Sequence, residues 1–223
     1  MENGRGDLPE RGTMNRQTQT KLNQQEGDAY WQVILWQELA EDLYFDHVTF
    51  PDENFEQVRL RRCTLDHCRA PALRMEHGSW EQVVLKECDL SNLNLGDAVL
   101  SQVRFEDCKL VGANFASCGL HGVTFVRCNL AYSNFALCQG KSLAFEDCDL
   151  GGANLSQGKI SRLVFAACSL RRANLFHTPL KGVRLTDSEI DGILCTMEDL
   201  KGAHVSPIQA CQLASLMGLV VED

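Results

Sequence analysis

Along most of this chain, large apolar residues recur at every fifth position. From Phe45 to Leu200 nearly every multiple of five is large and apolar, with Ala70, Gly140 and Cys195 as small exceptions. Two residues before each there is often a small or β-branched one, such as Val103, Cys108, Ala113 or Cys118. An amphipathic helix repeats about every 3.6 residues and a half-buried strand about every 2, so neither explains a spacing of five. A longer period lies over the short one. Cys68, Cys88, Cys108, Cys128, Cys148 and Cys168 are each 20 residues apart, and Cys118 and Cys138 form a second pair at that interval. Five nested in twenty predicts a coil with four equivalent sides, each one pentapeptide with two residues inward and three outward. Coils then stack at the β spacing of about 4.8 Å, so that residue n lies over residue n+20.

That register turns the cysteines into an interior column. A buried neutral thiol is a small hydrophobe, and zinc needs convergent CxxC-like pairs, which spacings of 5, 10 and 20 do not supply. The nine cysteines from Cys63 to Cys168 are therefore expected to be buried and reduced. Asn94, Asn114, Asn134, Asn154 and Asn174 share the interval, and stacked Asn side chains hydrogen-bond along a solenoid. Residues 1–27 lack the apolar stretch of a signal peptide, and no run approaches the roughly 18 apolar residues of a membrane span. A soluble, cytoplasmic protein with no membrane partner is expected.

The units GANFA (Gly112 to Ala116), YSNFA (Tyr132 to Ala136), GANLS (Gly152 to Ser156) and RANLF (Arg172 to Phe176) resemble the A(D/N)LxX unit of the pentapeptide-repeat family. The resemblance implies an all-β, right-handed quadrilateral β-helix over about 43–205, with a short C-terminal helical cap. Before it, residues 1–27 read as a disordered tail and 28–42 as an N-terminal cap with two tryptophans. Residues 206–223 read as a helical capping and dimerisation module. Ser206 is its N-cap, Pro207 its first residue, Gln209 completes a capping box and Gly218 is the stop. Two uses of this module stay open. Ile208, Leu213, Leu216, Leu219 and Val220 serve either as a plug for the last coil or as a twofold dimer contact as well.

With 30 acidic against 21 basic residues, the net charge of −9 argues against a nucleic-acid binder held by phosphate contacts. The six histidines, His47, His67, His77, His121, His177 and His204, form no convergent set. His47 and His67 stack beside Asp46 and Asp66, read as an outward surface pair. No hydrolase, zincin, P-loop or Rossmann pattern occurs, so no catalysis, cofactor or metal is expected.

Charge becomes informative once sorted by corner. Let sides A, B, C and D be centred on residues such as 105, 110, 115 and 120. The A–B corner carries Asp46, Asp66, Glu87, Asp89, Glu106, Asp107, Glu146, Asp147, Asp149, Asp187 and Glu189 against Arg69, Lys86, Lys109 and Arg127. The D–A corner carries Arg61, Arg62, Arg104, Lys141, Arg162, Lys181, Arg184 and Lys201 against Glu81. Stacked like charges repel, so a segregated acidic stripe invites a partner. An acidic solenoid with a short apolar C-terminal module is similar to the Qnr and MfpA quinolone-resistance group. That resemblance implies a homodimer that mimics DNA and protects DNA gyrase or topoisomerase IV from quinolones or another poison. The alternative is a scaffolding pentapeptide-repeat protein with no topoisomerase role. Several Qnr proteins carry out-of-register loops, and none is visible here between Cys68 and Cys168. The weakest stretch is Ala70 to Trp80, where Met75 and Trp80 either become exposed contacts on a bulge or fill a poorly conforming coil.

Overall fold

The computed structural model describes residues 19–23, 26, 34, 38–51 and 53–221. They form a right-handed, four-sided β-solenoid of parallel strands. On side A the strands Leu43–Asp46, Thr64–Asp66, Val84–Lys86 and Arg104–Glu106 pair one over the next, with Phe105 over Leu85 and Leu85 over Leu65. Side D repeats this with Leu39–Glu41, Arg59–Arg61, Ser79–Glu81 and Val99–Ser101. The strands Gly119–Val126 and Gln139–Glu146 continue round the D–A corner. Sides B and C are held by single bridges at the same interval, such as the seven that join eight residues from Thr49 to Glu189. The predicted register of twenty is the register of the fold.

Most corners are made by a left-handed residue at the end of the pentapeptide, Ser142, Arg162, Asp187 and Met197 being exceptions. Glu87, Asn92, Asp97, Gln102 and Asp107 have φ between 49° and 59°, a region that disfavours a Cβ. Each turn is held by its amide: Asp107 donates to the Val126 carbonyl at 3.0 Å and Asp147 to Ala166 at 2.9 Å. The repeat asparagines act twice. Asn114 Oδ1 accepts from the Ala116 amide at 3.1 Å, and Asn114 Nδ2 donates to Asn94 at 2.8 Å in the coil below.

Inside, Phe105, Phe125, Phe145 and Phe165 stack with centroids 4.6 to 5.5 Å apart, meeting Phe115 and Phe135 edge to face. Such pairs add about 0.5–1.5 kcal/mol each beyond burial. The nine cysteines from Cys63 to Cys168 are all buried and free. Burial pushes the Cys63 and Cys168 thiols up to about 11 and Cys138 up to about 12, so they are neutral packing groups.

Several expectations meet corrections. Thr20–Leu22, assigned to the disordered tail, is a strand lying on Leu43–Phe45, with Leu22 buried. Its offset of 23 residues is invisible to a search for twenties. The coil pattern starts at Leu39 rather than at 43, because Leu39–Glu41 already pairs with Arg59–Arg61. The cap's two tryptophans, Trp31 and Trp36, and residues 1–18 of the tail lie outside the described residues. Met75 and Trp80 are not on an exposed loop; they are 2% and 1% exposed. Gly78 makes room there, since a Cβ on it would meet the Val58 carbonyl oxygen at 2.5 Å. Ser79–Glu81 therefore pairs without a break on both sides. Among the described strand pairs a slip lies elsewhere: His121 pairs with Ser142 rather than 141. It lies beside Gly140, whose backbone sits so close that a Cβ would lie 1.8 Å from the Leu120 carbonyl oxygen.

The C-terminal helix, Pro207–Ala214 with a 3-10 turn Ser215–Met217, forms as its sequence signals predict. The capping box is complete, and Gly218 ends the turn in the left-handed region at φ 73°. Gln209 also seals the rod. It is buried, and its Nε2 donates to the Leu185 and Ser188 carbonyls at 2.7 and 2.8 Å, closing backbone acceptors that no further coil would reach.

Candidate functional site

The A–B corner is where the outward carboxylates converge, because each coil delivers the same three positions there. Strand ends place Asp66, Glu106 and Glu146 in one column. The left-handed corner residues place Glu87, Asp107 and Asp147 in a second. The bridge ladder places Asp89, Asp149 and Glu189 in a third.

The structure divides this corner into two halves. In the N-terminal coils the carboxylates have partners within the chain. Asp66 accepts from the Tyr44 hydroxyl and meets His67 Nδ1 at 2.9 Å, while His67 Nε2 meets Glu87 at 2.9 Å. Lys109 lies 3.5 Å from Asp89. Arg127 grips Glu106 at 2.8 Å and Asp107 at 2.7 Å, and Arg104 and Lys86 flank Glu106. The Arg127 guanidinium holds Asp107 below the ordinary carboxylate range. For Glu106, desolvation pulls upward but Arg127, Arg104 and Lys86 outweigh it.

In the C-terminal coils Glu146, Asp147, Asp149 and Asp187 have no ion pair among the described residues, and Glu189 has Arg171 at 3.0 Å. The coil between them carries only Ala167 and Ser169 at the corner. That leaves an open groove of about 420 Å³ with Asp147 and Asp149 on one rim and Asp187 and Glu189 on the other.

The D–A corner divides at the same height. Arg61 lies 3.4 Å from both Glu41 and Glu81, Arg62 binds Asp42 and Glu41, and Arg104 reaches Glu106. Lys141, Arg162, Lys181 and Arg184 are exposed and have no ion pair among the described residues. Lys201 pairs only with Glu198, three residues away.

The sequence matches the family described as "Pentapeptide repeat region" over residues 41–115, 78–155 and 118–195. The chain belongs to the pentapeptide-repeat family. Among solved pentapeptide-repeat structures, full-length QnrB1, a plasmid-mediated fluoroquinolone resistance protein, is 19% identical, with 81% of this chain and 90% of that one covered at a TM-score of 0.39. HetL, involved in heterocyst differentiation regulation in the cyanobacterium Nostoc sp. strain PCC 7120, is 16% identical over 82% of this chain and 94% of that one, at 0.30. Rfr23 from the cyanobacterium Cyanothece 51142 is 17% identical over 81% and 99%, at 0.22. A search of curated proteins finds no match.

Other predicted sites of this pentapeptide-repeat chain take ordinary places. His47 and His67 are outward, their rings stacked at 4.6 Å, each bonded to its neighbouring aspartate. Among the described residues, no group of three or more His, Cys, Asp or Glu is arranged to hold a metal ion, and no helix is long and apolar enough to cross a membrane. In the C-terminal module, Leu213 packs against the core, whereas Ile208 and Val220 are 75% and 85% exposed and Leu216 and Leu219 also face outward. What sequence reasoning missed is the internal pairing. Its signal was readable: opposite charges 20 or 21 residues apart, such as Asp107 and Glu106 with Arg127.

Proposed function

We propose that this protein is a non-catalytic DNA mimic of the cytoplasm. It enters the basic DNA-binding groove of a type II topoisomerase, DNA gyrase or topoisomerase IV, and lessens the action of quinolones or of another gyrase poison. One observation supports this above the others. Glu146, Asp147, Asp149 and Asp187 stand unpaired along one corner of a rigid rod, so their field is directed outward instead of being cancelled within the chain. Duplex DNA carries a charge about every 1.7 Å of axis; here Glu146, Asp147 and Asp149 share one coil and Asp187 lies two coils, or about 10 Å, further on, so the free carboxylates form two clusters in line along the rod. Fixed carboxylates on a backbone locked by hydrogen bonds lose little freedom on docking, and complementary charge speeds encounter. The exposed apolar residues Ile208, Leu216, Leu219 and Val220, with Leu213 behind them, join two copies end to end about a twofold axis.

The test is whether purified protein alters gyrase supercoiling or rescues it from a quinolone. Unchanged supercoiling with and without the drug would reject the topoisomerase reading. A scaffold with no topoisomerase role draws support from one feature: Tyr132, Leu137 and Phe176 are exposed on side C and its corners, away from the carboxylates. Alanine at these three positions separates the two readings, since only a scaffold would lose its partner.

A further inference from the structure

In the coils where the acidic corner is unpaired, the basic corner is unpaired as well. These two rims border the same side of the rod. Side A there turns Ala144, which is only 6% exposed, Val164, Ala166 and Thr186 outward, with the exposed Arg184 continuing the column of Ala144 and Val164, and with Lys141, Arg162 and Lys181 along one rim. Glu146, Asp147, Asp149 and Asp187 line the other. One continuous strand, Gln139–Glu146, carries Lys141 at its basic end and Glu146 at its acidic end. The parallel register stacks Leu163–Ala166 upon it.

We propose that side A of these coils is a docking face for a second copy of this chain, with the two rods side by side and pointing the same way. Charge complementarity selects both the occupant and the orientation. A partner must offer acid and base on opposite rims at matching heights, which an extended polyanion does not. The DNA backbone would be drawn to Lys141, Arg162 and Lys181 but repelled by the carboxylates one side away. A twofold axis parallel to the rod turns the second copy over while keeping its coils level. Lys141 then faces Asp147 of the second copy, Lys181 faces Asp187, and Arg162 faces the groove between them. A twofold axis across the rod sets basic rim against basic rim and is repulsive. In the first two of these coils the small central residues let the two sheets approach to the usual separation of about 10 Å, and in the third Arg184 adds a cation on the basic side of the face.

Three coils span only about 15 Å of rod, so the contact lies at the small, transient end of protein interfaces. Its strength comes from the charged rims and is salt-sensitive. The pairing stands apart from the topoisomerase reading, although it covers the same carboxylates. Where both hold, self-association masks the acidic corner and a partner must displace it.

The test follows the full chain by sedimentation velocity at about 0.01 M and about 1 M salt, where the Debye length is about 30 Å and about 3 Å. The expected result is association at low salt that is lost at high salt. An apolar C-terminal contact is not weakened by salt and remains as the baseline. Two triple variants sharpen it: Lys141→Glu with Arg162→Glu and Lys181→Glu, and Glu146→Lys with Asp147→Lys and Asp187→Lys. Each alone is expected to weaken the salt-sensitive step by at least about tenfold, or about 1.4 kcal/mol, and an equimolar mixture to restore it. Absence of a salt-sensitive step in the natural chain, or a mixture no better than either variant, overturns the proposal. So does binding of a duplex oligonucleotide at Lys141, Arg162 and Lys181 in place of self-association. Failed gyrase protection with intact self-association rejects the topoisomerase reading and leaves this one in place.

Discussion

The N-terminal and C-terminal halves of the A–B corner share one backbone, one register and one set of outward positions, yet they present different surfaces. In the first, Asp66, Glu87, Asp89, Glu106 and Asp107 are tied to His67, Lys109 and Arg127. In the second, Glu146, Asp147, Asp149 and Asp187 have no such partner among the described residues. Since the backbone is common, the difference resides in which residue occupies a column one coil away. Arg127 stands over Asp107, whereas Ala167 stands over Asp147. A stripe that is uniform when counted is thus two surfaces, one ion-paired within the chain and one without ion pairs at Glu146, Asp147, Asp149 and Asp187 among the described residues.

The largest effect is expected where the halves join. Gly140→Ala places a Cβ against the Leu120 carbonyl and is expected to cost about 3 kcal/mol or more. Urea unfolding checks this, and an unchanged midpoint would mean that the backbone there can yield. Next comes charge reversal. Lysine at Glu146, Asp147, Asp149 and Asp187 together is expected to weaken topoisomerase binding at least about a hundredfold, or about 2.7 kcal/mol, with far-UV circular dichroism unchanged. Lysine at Asp66, Glu87, Asp89 and Asp107 is expected to lower stability more than binding, because it strands Lys109, leaves Arg127 with Glu106 alone and sets new cations beside both. Equal losses of binding from both sets would erase the distinction between the halves.

A smaller change tests it in the opposite direction. Arg127→Ala releases Asp107, while Arg104 and Lys86 still flank Glu106, and so extends the unpaired run toward the N-terminus; binding is expected to tighten a few-fold, and weaker binding in a titration would count against the mimicry. The smallest effect is with pH. Asp46, hydrogen-bonded by Lys21, and Asp107, hydrogen-bonded by Arg127, titrate below their ordinary value. A carboxylate with a depressed folded pKa contributes stability above its unfolded value, about 3.9 for Asp, and loses it as pH falls through the folded value. The N-terminal coils are therefore expected to loosen on acidification below about pH 4, which hydrogen exchange at a series of pH values would resolve coil by coil.

Much of the fold was legible because the solenoid writes its register into the sequence. The cysteine column, the Phe rows and the capping box at Ser206 and Gln209 each depend on residues at fixed short intervals. Thr20–Leu22 escaped because pairing at an end of the rod obeys no repeat. The Ala70 to Trp80 stretch left two readings open because Gly78 removes a side chain and Trp80 supplies a large one, a compensation that only the packing reveals. The acidic corner could be counted in advance, but its division could not. Ion pairs here cross between coils and depend on whether a long side chain such as Arg127 reaches two carboxylates at once.

The register of twenty also limits how such a chain can change length. Removing or duplicating 20 residues takes out or adds one coil and leaves every later side chain on its own face, so the rod can be shortened or lengthened with its stripes intact. An insertion of five keeps the alternation of inward and outward positions but turns everything downstream by a quarter of the circumference. Placed between Gly140 and Glu146, it would carry the unpaired carboxylates from the A–B corner to the B–C corner without altering one of them. The rod thus behaves like a dial, in which a single pentapeptide gained or lost chooses which way the unpaired carboxylates point.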